Sequence, residues 1–150
     1  MNLIKLQLYE LCNTYINERI KTAENAIEAA RESANDDTKS SAGDKYETGR
    51  EMMQQEINRN TLQLHEARKL QQILQSINPE HSAGFIRNGS LVITNHGNFY
   101  ISISAGHLVI DGTDYFAVST SSPIGAILIK SGLGDTFDFN GKKFTVLDIL

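Results

Sequence analysis

The residues best suited to chemistry in this 150-residue chain are carboxylates gathered in one short stretch. Between positions 32 and 47 stand Glu32, Asp36, Asp37, Asp44 and Glu47 against Lys39 and Lys45, with Arg50 just beyond. Carboxylates are hard oxygen ligands of the kind Mg²⁺ takes, and a bound Mg²⁺ can stabilise a phosphodiester under attack by water. Lysine and arginine in turn suit phosphate oxygens. Asp36, Asp37 and Asp44 are therefore the candidate catalytic or metal-holding residues. Lys39, Lys45 and Arg50 are candidate partner contacts. The acids also have a structural use, because Asp44 and Glu47 would favour the positive N-terminal end of a following helix. Ser40 to Lys45 echoes a phosphate loop, but the Gly-x₄-Gly-Lys-Ser/Thr pattern and a preceding strand are missing, so it reads as a turn.

Other chemistries find little support. His65, His81, His96 and His107 are scattered, and none pairs with another His or with Cys at helical metal-ligand spacing. The single cysteine, Cys12, has no disulfide partner and reads as a small apolar residue on a helix. The net charge of −4 disfavours a chain that grips nucleic acid through a basic surface of its own, so no stable DNA binding is expected. Lys5, Glu10 and Asn13 break up any leader-like apolar run, and no window is long enough to cross a bilayer. These features lead to the expectation of a cytoplasmic protein with no membrane partner.

Two kinds of element must position the charged stretch. Ile16, Ile20, Ala23, Ile27, Ala30 and Ala34 repeat at alternating steps of four and three, with Ile4, Leu8 and Leu11 roughly extending the series. Met53, Ile57, Asn60, Leu64, Ala67, Leu70, Leu74 and Ile77 form a second such stripe. Heptad stripes this narrow need a partner, and the simplest partner is each other across the polar stretch 35–44. The reading is an antiparallel two-helix coiled-coil hairpin over residues 1–78 with its tip at about 35–44. Asn60, polar at a seam position, is read as a register-setting residue.

Composition changes at Asn78-Pro79. From it onward come nine of the eleven glycines and both prolines, which marks a boundary. Residues 79–84 are read as a linker and 85–150 as a β-rich domain. Short runs at Ser90–Thr94, Phe99–Ser104, His107–Ile110, Tyr115–Val118, Phe137–Phe139 and Phe144–Leu147 read as strands. Asp111-Gly112 and Asn140-Gly141 are hairpin turn signals. Ser122-Pro123 opens a short helix, with serine as the cap and proline in the first turn. The fold class expected is α+β.

These segments, in this order, resemble the Gre-type transcript cleavage factors. The likeness is most specific from Val118 to Gly125, through Leu128-Ile129-Lys130, Gly134-Asp135 and Gly141, to the closing Phe144–Leu150, which is similar to that family's FKBP-like C-terminal domain. Ala30-Arg31-Glu32, Tyr46 and Glu51 resemble its tip approach and return helix. The resemblance implies a factor whose C-terminal domain docks on bacterial RNA polymerase through the segment matching Ser122, Pro123 and Ile124. Its coiled coil would enter the secondary channel, reach the RNA 3′ end indirectly, and present tip acids that share Mg²⁺ with the polymerase. No intrinsic cofactor or activity is implied. One departure matters. An ungapped match on Tyr46 puts Lys39, Ala42 and Gly43 where the family carries acid, acid and Asn, so a non-cleaving channel-binding regulator stands beside a cleavage factor. A generic coiled-coil adaptor is the reading from another class. Prolyl isomerisation is disfavoured, since the chain has no Trp and few aromatics to build a proline pocket.

Overall fold

The computed structural model describes residues 2–39 and 43–150, and side chains at 36–46 lie outside the described set. Helix α1 spans Leu3–Lys39 and α2 spans Gly43–Gln75. Six strands follow: β1 Leu91–Thr94, β2 Gly97–Ile101, β3 Gly106–Ile110, β4 Thr113–Val118, β5 Thr136–Phe139 and β6 Lys142–Ile149. A short helix, α3 Pro123–Leu128, lies between β4 and β5. This is the α+β arrangement expected, a helical hairpin followed by a β-rich part with one short helix.

The chain resolves into two units. One comprises Ile16–Gln71, and the other combines Met1–Tyr15 with Gln72–Leu150. In the first unit the heptad stripes are the seam. Ile16, Ala23, Ile27 and Ala30 of α1 are buried, as is Ala67 of α2, while Ile20, Ala34, Met53, Ile57, Asn60 and Leu64 are half-buried. Asn60 donates to the carbonyl and the carboxylate of Glu56, one turn back on its own helix, at 2.9 and 3.1 Å. The amide is thus satisfied within α2. The polar stretch read as a turn is partly helical, since α1 continues through Asn35 to Lys39. Asn and Asp cost only a few tenths of a kcal/mol each in a helix, and propagation of a long helix outweighs that.

In the second unit the strand order is β3-β4-β2-β1-β6-β5, antiparallel except for the parallel pair β2 and β4. Both predicted two-residue turns form. Asp111 and Gly112 have φ of 49° and 78°, and Asn140 and Gly141 have 51° and 75°, the left-handed pair that matches strand twist. One sheet face carries the core around α3, built from Ile86, Val92, Phe99, Ile101, Ile124, Leu128, Phe144 and Val146. Tyr100 and Ser102 point to the opposite face, where the start of α1 packs. There the Cys12 thiol lies 3.7 Å from the Ser102 hydroxyl. Asn2 caps α1 by accepting from the backbone N–H of Ile4 and Lys5. Lys5 is 1% exposed and donates to the His81 carbonyl at 2.8 Å. Burial, and then the Arg87 charge, hold its ammonium below the usual lysine range.

Candidate functional site

Two regions carry the residues singled out in the sequence. The backbone places Asp36, Asp37 and Lys39 in the last turn and a half of α1, and Asp44 and Lys45 in the first turn of α2. The side chains of all five lie outside the described residues. Arg50 is described and exposed. It lines a groove of about 370 Å³ together with Arg31, Ala34 and Asn35 of α1 and Gln54 and Ile57 of α2. Two guanidinium groups, two side-chain amides and an apolar floor line it, and the Gln54 amide donates to Asn58 at 2.9 Å. Sequence reading found Arg50 but not Arg31 or Gln54 as site residues. The available signal was spacing: Arg31 lies between the seam positions Ala30 and Ala34, and Gln54 lies one turn after Arg50. Among the described residues no group of three or more His, Cys, Asp or Glu is placed to hold a metal ion.

The second region is the start of α3. Ser122 is the N-cap, half-buried, and its hydroxyl accepts from the Gly125 N–H at 3.1 Å while donating to the Ser119 carbonyl at 2.7 Å. Ser122 N–H also donates to that carbonyl, at 3.1 Å. Pro123 takes the first turn, where its missing N–H is no loss. Ile124 is 8% exposed and belongs to the core. Gly125 is buried so tightly that a Cβ there would meet the Ser119 carbonyl oxygen at 1.9 Å. Of Ser122, Pro123 and Ile124, then, Pro123 is the exposed one. Ser121, Ile129, Lys130 and Leu133 are exposed on the segments around α3.

Two further groups are buried without an evident use in either region. Burial pushes the Cys12 thiol up to about 11, against a smaller opposing effect of the Ser102 hydrogen bond. Burial raises the Tyr100 phenol too, with Cys12 and then Tyr9 adding to the effect. The Tyr100 hydroxyl has no hydrogen-bond partner among the described residues.

No helix among the described residues is long and apolar enough to cross a membrane. Comparison with family models and with curated proteins matches nothing. Among solved structures, the chain is similar to that reported as the structure of the transcription factor Gfh1, at 22% identity over 94% of this chain and 92% of that one, with a TM-score of 0.34.

Proposed function

We propose that this chain is an RNA polymerase-binding elongation regulator whose hairpin enters the secondary channel. The observation that carries the reading is the hairpin itself. Its arms of 37 and 33 residues end at Lys39 and Gly43, so Asp36, Asp37 and Asp44 fall within two turns of the helix ends. At 1.5 Å per residue the parts of these helices within Ile16–Gln71 extend about 35–45 Å. Arg31 and Arg50 in the groove add positive charge that favours RNA phosphate on the same hairpin. The C-terminal likeness to Gre-type factors around Ser122-Pro123 supports polymerase as the partner.

Cleavage of backtracked RNA is the finer reading. The chemical type of the tip acids fits Mg²⁺, and the ion would be held jointly with the polymerase and supply charge stabilisation at the phosphodiester. In that role Asp36, Asp37 and Asp44 contribute oxygen ligands, and Lys39, Lys45 and Arg50 steady the RNA backbone. The alternative, a regulator that occupies the channel without cleavage, is favoured by Lys39, Ala42 and Gly43 at the positions where the family carries acid, acid and Asn.

A backtracked elongation complex separates the two. Mg²⁺-dependent shortening of the RNA 3′ end by the wild type, reduced at least tenfold in Asp36→Ala, Asp37→Ala or Asp44→Ala, is expected of a cleavage factor. No shortening, with retained binding to core polymerase, leaves the non-cleaving regulator. Failure to co-purify with core polymerase removes both and leaves the adaptor.

A further inference from the structure

We propose that the open edge of β3, with the groove between it and the start of α1, takes up an extended segment of a partner protein bearing apolar and basic side chains. The first observation is the edge itself. β3 is the outermost strand, and its five residues pair with β4 in unbroken register. In a two-residue hairpin the residues flanking the turn exchange both hydrogen bonds. Ile110, Leu108 and Gly106 therefore bond to β4, and His107 and Val109 turn their N–H and C=O groups outward. Exposed edges are usually guarded by Pro, Lys or a bulge. Gly106–Ile110 contains none of these.

The second observation is the groove of about 390 Å³ along that edge. Leu11, Val109 and Ile110 give it an apolar surface, and Thr14 adds a hydroxyl. Val109 is 51% exposed. Glu10 and Asp111 also line it, and no cationic side chain does. A strand laid beside β3 would gain main-chain hydrogen bonds from Val109 and His107, the mode in which peptides extend a sheet. Its side chains would alternate between the α1 side, over Leu11, and the opposite face. The two carboxylates select the occupant: they favour basic residues, and they disfavour a second copy, which would bring the same two acids to the same edge.

The test uses the full chain and fluorescence anisotropy with a labelled nine-residue peptide of alternating Val and Lys. Binding is expected, weakened at least tenfold when alternate peptide amides are N-methylated, and at least tenfold when Lys is replaced by Glu. In the protein, Val109→Pro removes the outward N–H without touching a bond to β4 and should abolish binding. Val109→Lys is the second variant, should the first not fold. Glu10→Gln with Asp111→Asn should weaken binding at least tenfold while keeping a residue that accepts the turn conformation. Equal affinity for the N-methylated peptide, or unchanged binding by a folded Val109 variant, overturns the proposal. So does a dimer in sedimentation velocity that Val109→Lys abolishes, because a second copy would then be the occupant.

Discussion

Replacing Gly125 by alanine should unfold the β-rich unit selectively. The new Cβ would lie 1.9 Å from the Ser119 carbonyl oxygen, 2.9 Å from its carbon and 2.9 Å from the Ser122 hydroxyl oxygen. Carbon-to-oxygen contacts settle near 3.3 Å or more, so α3 and the Ser119 carbonyl must part by over about 1 Å. That displacement breaks the two Ser122 hydroxyl bonds, to Ser119 and from Gly125, each worth about 1 kcal/mol. It also pulls Ile124 and Leu128 out of register with the core, and overpacking of this kind adds about 1–3 kcal/mol. The expected loss is roughly 3–5 kcal/mol in all. For a unit of this size that corresponds to a midpoint fall of about 12–30 °C. Ser122→Ala provides the scale, since it removes both hydroxyl bonds without the steric clash and should cost about 1–2 kcal/mol. The assay is urea and thermal unfolding followed by near-ultraviolet circular dichroism of the buried Tyr100 and Tyr115, with helical ellipticity recorded alongside. A Gly125→Ala loss smaller than that of Ser122→Ala would refute the steric reasoning.

Further expectations concern Cys12, Lys5 and Asn60. The Cys12 thiol should resist alkylation at pH 8 in the native chain and react freely in urea; fast native alkylation would contradict its burial. Its folded pKa, raised from 9.0 to about 11, contributes stability that is intact below pH 9 and lost as pH climbs to about 11, a decline that Cys12→Ala should lack. For Lys5 the sign is reversed. The native state binds its proton less readily than the unfolded chain, so its contribution to stability rises with pH towards the unfolded value near 10.5, and a Lys5→Met chain should show a flatter profile in the alkaline range. Asn60→Leu should stabilise the hairpin by roughly 0.5–1.5 kcal/mol, because among the described residues its amide donates to Glu56 alone and a leucine would bury apolar area at the seam. A lower melting midpoint at 222 nm would mean that Asn60 bridges the arms after all.

The strands were legible because two signals agreed at each: alternation of β-branched and aromatic residues, and left-handed turn residues at Asp111-Gly112 and Asn140-Gly141. The hairpin seam was legible because its stripes keep one period. That constancy also hid something. Leu8, Cys12 and Ile16 continue one helical face, yet Cys12 meets Ser102 of the β-rich unit while Ile16 belongs to the hairpin unit. A helix presents the same apolar face to a sheet as to another helix, so nothing in the pattern marks the change of partner. Lys5 was illegible for a related reason. A lysine reads as solvated, and only the His81 carbonyl, 76 residues away, gives its ammonium a place inside. At the start of α3 the motif was correctly located, but residue type did not separate Ile124, which packs inward, from Pro123, which faces outward.

The division of the chain into units carries a consequence for how such a chain could diversify. Both divisions fall inside continuous helices, at Tyr15 and Ile16 in α1 and at Gln71 and Gln72 in α2. Removing or adding seven residues at a time in both arms between those points would preserve the stripe and leave every residue of the β-rich unit in place. The hairpin would then shorten or lengthen in increments of about 10 Å. Hairpin length can thus be inherited as a quantity separate from the β-rich unit, adjusted by indels in matched pairs.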